Sequence, residues 1–194
     1  MRLEHRIIID LVEENSTVLD LGCGSGELLA ELAEKKNIRG QGIEIDYKAV
    51  FDCVAKGLSV LHGDIDTGLP EYADHAFDYV ILNQSLQQVK KPVDVLKEAL
   101  RVGKKVIVGI PNFAHIKARV RLGFLGRVPV TKALPYEWFD TPNLHFLSLL
   151  DFRDYCRLNK IQIEETRYIG ETKEVKIFPN LFAHIGVFLL AKGK

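Results

Sequence analysis

Short apolar runs and stretches of helical period alternate along the first 110 positions of the chain. Leu3, Ile7 and Leu11, flanked by Ile8 and Val12, recur three and four residues apart and predict an amphipathic helix. Val18–Leu21 is a compact apolar run holding one carboxylate, Asp20, and predicts the first strand. Glycines follow at Gly22, Gly24 and Gly26, and then Leu28, Leu29, Leu32 and Ala33 mark one face of a second helix. Arg39–Ile45 predicts a strand, Tyr47–Lys56 a helix, and Leu58–Leu61 another short strand. The next stretch, HGDIDTGLP, is a loop by its glycine and proline content. Phe77–Asn83 is nearly all apolar, as a central parallel strand should be. Pro92 sits at the first turn of a helix over Val93–Val102, and Lys104–Ile110 reads as a fifth strand. Repeated strand–helix order implies a parallel sheet with right-handed crossovers.

The last third changes character. Pro111–Val120 predicts a helix with Asn112 as its cap. Gly123–Thr141 is rich in glycine, proline and aromatics and predicts an ordered loop, so residues 111–147 form a candidate lid or partner segment. Ser148 and Asp151, three apart, resemble a capping box opening a helix through Leu158. Ile161–Ile169 and Leu181–Ala191 predict two strands paired as a hairpin. No repeat or low-complexity tract interrupts the chain, so a single domain over residues 1–194 is expected.

Composition narrows the function classes. The formal net charge is zero, which removes a whole-chain argument for nucleic acid or membrane. The three cysteines, Cys23, Cys53 and Cys156, are widely spaced and odd in number. They fit a reducing compartment and neither a zinc pattern nor a disulfide framework. No signal-peptide pattern and no bilayer-length apolar segment is visible, so a cytoplasmic location is expected.

Strand, glycine turn and helix together build a nucleotide pocket at a strand's carboxyl end. A dinucleotide fingerprint would need glycine at 27, where Glu27 stands. The pattern is D-x-G-x-G-x-G instead, and Asp20 with Glu27 would repel a pyrophosphate. A ligand with a cationic end suits it better. S-adenosylmethionine carries an ammonium, a sulfonium and one carboxylate that backbone N–H groups can hold. The alternative is a turn that only serves close strand–helix packing. Glu44 ends the second predicted strand, where a carboxylate accepts from ribose hydroxyls, and Asp46 nearby fits a solvated strand end. Asp64, in the loop after the third strand, can accept from an adenine amine with Ile65 packed on the ring.

VLDLGCGSG, GIEID, GDI and FDYVILNQSLQQV stand in the order and spacing of the class I S-adenosylmethionine-dependent methyltransferases. The chain resembles that superfamily over about its first 110 residues. The resemblance implies a Rossmann-like α/β fold: a mostly parallel seven-stranded sheet, helices on both faces, and an antiparallel C-terminal hairpin. It implies that Asp20, Gly22, Gly24 and Gly26 hold the amino-acid end of S-adenosylmethionine or S-adenosylhomocysteine. Glu44 and Ile45 would meet the ribose region, Asp64 and Ile65 the adenine, and Asn83 and Gln84 the methyl-donor end. Cys23 lies in the same loop, as a small apolar side chain behind it rather than a nucleophile. Further on, VGIPNFAHIKARVRL, GRVPVT and LPYEWFDTPNLHF resemble the MetW family, and Thr141–His145 is the most distinctive part. That resemblance covers nearly the whole chain. It implies a role in bacterial methionine biosynthesis as a partner that supports homoserine O-acyltransferase.

Evidence for a reaction is thinner. After strand four, Asn83, Gln84, Ser85 and Leu86 lack the N-P-P-aromatic loop that holds planar amines, which argues against nucleic-acid bases or glutamine side chains as substrates. His115 and His145 are candidate bases, or equally a helix cap and a loop bridge. Lys117, Arg119, Arg121 and Arg127 form a basic run that suits a solvated face, an anionic substrate or an acidic partner surface. Trp138, Tyr136, Phe139 and Phe146 can cover a pocket, anchor an interface or form local core. The leading expectation is an S-adenosylmethionine-binding partner of homoserine O-acyltransferase. The alternative is an active methyltransferase on a small anionic metabolite.

Overall fold

The structure is a computed structural model that describes residues 2–131 and 134–193. In chain order the elements are α1 (Leu3–Leu11), β1 (Thr17–Leu21), α2 (Glu27–Lys36), β2 (Arg39–Glu44), α3 (Tyr47–Ala55), β3 (Ser59–His62) and β4 (Phe77–Asn83). They continue with α4 (Pro92–Val102), β5 (Gly103–Pro111), α5 (Ile116–Leu125), α6 (Leu149–Leu158), β6 (Gln162–Ile169), α7 (Pro179–Phe182) and β7 (Ile185–Ala191). One seven-stranded sheet runs in the order β3-β2-β1-β4-β5-β7-β6. β1 to β5 are mutually parallel, and β7 lies antiparallel between β5 and β6.

The sheet is covered on both faces. Ile7, Ile8, Leu29 and Leu32 from α1 and α2 pack with Val18, Ile81 and Val187 on one side. Leu96, Ala99 and Phe152 from α4 and α6 pack with Leu19, Val80, Leu82 and Phe188 on the other. β4 therefore sends alternate residues into two cores, which is why its sequence is apolar without alternation. Each such side chain contributes about 1.5–3 kcal/mol through burial. At the opposite end from the strand tips, Asp78 accepts from Thr17 N (2.8 Å), Thr17 Oγ1 (2.7 Å) and Lys104 Nζ (2.8 Å). Lys104 first, then the two Thr17 donors, hold its carboxyl down at about 2, and together they tie β1, β4 and β5. Arg101 donates from Nη1 to Tyr72 O and from Nη2 to Leu69 O, both at 2.8 Å, which fixes the loop leading into β4.

Two predicted elements are corrected. Pro111 does not open a helix. It ends β5 opposite Ile185 of β7, and α5 starts at Ile116 with His115, not Asn112, as its cap: Lys117 N donates to His115 Nδ1 at 3.1 Å. Asn112 is fully buried, and its Nδ2 donates to Ala183 O (2.8 Å) and Asn180 O (3.0 Å). The helix also runs five residues further than predicted, through Leu125, and stops where Gly126 takes a left-handed φ of 59°. The last strand is shorter than predicted, because Pro179–Phe182 forms the helical turn α7 and the strand begins at Ile185. The capping box at Ser148 and Asp151 is present as predicted, with both reciprocal bonds made.

Candidate cofactor-binding site

Strand order reverses between β1 and β4, and ligands of open α/β sheets sit at the carboxyl ends of strands at such a point. The chain leaves β1 through the glycine turn, where Gly22 N (2.8 Å) and Cys23 N (3.2 Å) both donate to Ile43 O of β2. The three glycines serve different ends. A Cβ on Gly26 would meet Leu58 Cδ1 at 2.5 Å and Cys53 Sγ at 2.8 Å, so Gly26 lets α2 close on its neighbours. A Cβ on Gly24 would meet nothing within 4 Å, so Gly24, with φ +55°, faces open space where a ligand can approach the main chain.

That space belongs to a cavity of about 260 Å³. It brings together the sequence-predicted residues Asp20, Gly22, Cys23, Gly24 and Asn83. It also has walls that sequence reasoning missed: Arg2 and His5 from the start of α1, and Ser25, Glu27 and Leu28 from the turn into α2. A signal for them existed. A short turn joins α1 to β1, so the helix runs back along the strand and its first residues return to the strand's carboxyl end. Arg2 reaches across to Glu27 at 3.1 Å, and buried His5 meets Glu31 at 3.2 Å.

Asp20 is the electrostatic centre of the cavity. It is 2 % exposed, and burial, then the Glu44 carboxylate, push its carboxyl up to about 7. A cation entering the cavity would reverse that penalty. Asn83 presents a buried Oδ1 that has no hydrogen-bond partner among the described residues. Cys23 is no nucleophile, since burial first and the Asp20 charge next push its thiol upward.

Glu44 lies outside the lining of this cavity and braces the loop instead. Its Oε2 accepts from Gly24 N at 2.8 Å, and its Oε1 from Ile45 N (2.8 Å) and Asp46 N (2.9 Å). A carboxylate has about four acceptor positions, so roughly one is left for a ligand hydroxyl. Gly26, Ile45, Asp64 and Ile65 are likewise not among the cavity's lining residues. Asp64 caps a short 3₁₀ turn by accepting from Asp66 N (2.9 Å), while Ile65 packs on the core and Ile45 is exposed.

Gln84 lines a second cavity of about 380 Å³, which shares Arg2 with the first and includes Glu4, Glu171 and His184. Gln84 adopts φ 58° and donates from Nε2 to Glu4 Oε1 at 3.0 Å. His115 stacks on His184 with ring centroids 4.1 Å apart, and burial, then the His184 charge, lower its pKa. His145 lies elsewhere: its Nε2 meets Val89 O at 3.0 Å beside an apolar cavity under α6. The backbone N–H groups of Leu144 and His145 both donate to Gln87 O, at 2.9 and 3.0 Å, so the TPN-x-H stretch is strapped to the loop after β4.

The family model described as "Methionine biosynthesis protein MetW" matches residues 2–190. The chain belongs to the MetW family. That family ties it to methionine biosynthesis. It is 34% identical over 200 residues to the bifunctional methionine biosynthesis protein MetXA/MetW of Rhodopirellula baltica, covering 96% of this chain and 32% of that protein. The chain thus spans about a third of that relative. A demethylmenaquinone methyltransferase of Shouchella clausii is 30% identical over 164 residues, covering 74% of this chain and 69% of the relative. Among solved structures, a SAM-dependent methyltransferase from Archaeoglobus fulgidus superposes with TM-score 0.73 at 16% identity, covering 96% of this chain and 90% of that one. One from Thermotoga maritima, described as a possible histamine N-methyltransferase, gives TM-score 0.70 at 20% identity, covering 98% of this chain and 88% of that one. These likenesses show the class I methyltransferase fold, which by itself does not carry an activity. Among the described residues no cluster of His, Cys, Asp or Glu could hold a metal, and no helix is long and apolar enough to cross a membrane.

Proposed function

We propose that this MetW-family chain binds S-adenosylmethionine and, as a partner protein, supports a homoserine O-acyltransferase in methionine biosynthesis. The observation that carries the partner reading is the relative in which a MetW region shares one chain with MetXA. Reading the MetXA part as that acyltransferase, one chain delivers what two chains achieve by docking.

The donor set supports the cofactor. Among the described residues, Asp20 is a buried carboxylate with no cation beside it, and Asn83 Oδ1 is an acceptor without a donor. The cofactor's ammonium supplies both. Gly24 leaves the main chain open to its carboxylate, and Glu44 keeps one acceptor position for a ribose hydroxyl. On this reading Asp64 and Ile65, in the turn after β3, would meet the adenine. S-adenosylmethionine is an end product of methionine metabolism, so its occupancy can report pathway status to the partner. By reciprocal coupling, cofactor then changes partner affinity and partner changes cofactor affinity by the same factor.

Calorimetry with S-adenosylmethionine tests the pocket. Co-purification with the acyltransferase, and its rate with and without this chain, tests the partner. No complex and no rate difference would refute the partner reading. A second reading has its own observation: the 380 Å³ cavity beside the donor end, which could admit a methyl acceptor. Turnover of labelled methyl groups onto a defined small molecule would favour it.

A further inference from the structure

Helix α5 buries little of its surface. Of its ten residues only Ala118 is buried. Val120, Leu122, Phe124 and Leu125 are exposed, Phe124 at 86%. An isolated helix of this length is marginal in water, and a cluster of exposed apolar side chains marks a contact surface. The segment that follows exposes aromatic side chains too, and Val128 and Pro129, just past the end of α5, join the two parts. Trp138 is 72% exposed and meets Phe139 edge-on, while Phe146 leans on Phe113. Val128, Pro129, Tyr136, Trp138 and Phe146 line an indentation of about 180 Å³, the size of one large side chain. Exposed tryptophan around a pocket is the composition of an interface centre.

The fused relative points to the occupant, and the charge at the α5 end narrows its chemistry. Residues 111–136 contain five lysines or arginines and no aspartate or glutamate, and Glu137 and Asp140 follow at the other end of the face. Lys117, Arg119 and Arg127 are exposed among the apolar side chains. A second copy docking through the α5 end would set these cations against their own images, because a two-fold contact pairs a surface with itself. An anionic membrane would meet Glu137 and Asp140, both exposed beside Trp138. We propose that this face, α5 with residues 134–146, is the docking surface for the acyltransferase, which meets it with an acidic rim and an apolar side chain seated in the indentation. The proposal rests on the partner reading above and adds to it where the partner binds.

The test measures binding of the purified acyltransferase to the wild-type chain and to three surface variants. They are Phe124→Ser with Leu125→Ser, Lys117→Glu with Arg127→Glu, and Trp138→Ala. Phe51→Ser with Val54→Ser, on the exposed side of α3 at the other edge of the sheet, is the control. Thermal melts and S-adenosylmethionine affinity verify that each variant is folded. The expected result is at least a ten-fold weaker Kd for each of the three, with the control and the cofactor affinities within two-fold of wild type. Binding of the wild type should also weaken with added salt. If the wild type binds and the α5 and Trp138 variants bind equally well, the docking surface is overturned and the partner reading stands. If the wild type does not bind the acyltransferase at all, the partner reading fails and the docking surface falls with it. Sedimentation that shows self-association lost on changing Phe124 overturns the proposal in favour of a second copy. Capture by phosphatidylglycerol vesicles without acyltransferase binding overturns it in favour of a membrane.

Discussion

Asp20→Asn separates the electrostatic account of the cavity from a purely steric one. The asparagine matches the protonated acid in shape and cannot ionise. The carboxyl of Asp20 titrates near 3.8 when unfolded and at about 7 in the fold, so between those values the folded state holds the extra proton. Stability of the wild type therefore falls as pH rises from about 4 to 7, and the fall is complete above that. The full displacement, from 3.8 to about 7, corresponds to about 4 kcal/mol at 1.36 kcal/mol per pH unit. At pH 5 only about 1.5 kcal/mol of it has developed. Urea unfolding of both proteins at pH 5 and pH 8 should show the variant more stable at each, with the gap widening by about 2–3 kcal/mol at the higher pH. Cofactor binding should move the opposite way. An arriving cation draws the proton off Asp20, so wild-type affinity for S-adenosylmethionine should rise by up to about ten-fold per unit from pH 5 to 7. The variant should bind weakly with a flat profile. Parallel pH slopes of stability in the two proteins would refute the reasoning.

Three further outcomes are expected. Gly24→Val places a side chain in open space at φ +55°, so it should cost about 1–2 kcal/mol of backbone strain yet weaken S-adenosylmethionine at least ten-fold in calorimetry. Asp78→Asn should cost about 1 kcal/mol in urea unfolding at pH 7, after allowance for the solvent screening of a side chain 35% exposed. Because the folded carboxyl is held down at about 2, the wild-type advantage should fade as pH drops from about 4 towards 2. Asn112→Ala strands two carbonyls near α7 and the Ala114 N–H, and should lower stability by about 3 kcal/mol in thermal or urea melts without a direct effect on the cofactor cavity.

The sheet was legible because its information is local. The apolar run of β4 needs no partner to be recognised, and Ser148 with Asp151 announces α6 within four residues. Asn112 misled for the opposite reason. An asparagine before a helical pattern reads as a cap, but its partners lie about 70 residues away, at Asn180 and Ala183. Leu181–His184 looked like strand because it is apolar, while Pro179 sets a helical turn there. Within the site, the residues at strand ends were found from their motifs, and Arg2 and His5 were not, because their place follows from how a helix folds back and not from their own neighbours. Glu44 was recognised as a ligand candidate, but its three bonds to backbone N–H groups depend on the β1–β2 pairing, which no short motif displays.

Those three bonds bear on what the glycine loop costs to order. The loop is held at Gly24 by a carboxylate twenty residues downstream, so part of its order is built into the β1–β2 pair itself. Order supplied by the chain is order that a ligand does not have to impose, and a pocket organised by its own hydrogen bonds binds with less entropic loss. Replacing Glu44 would therefore loosen the main chain at Gly24 as well as remove an acceptor.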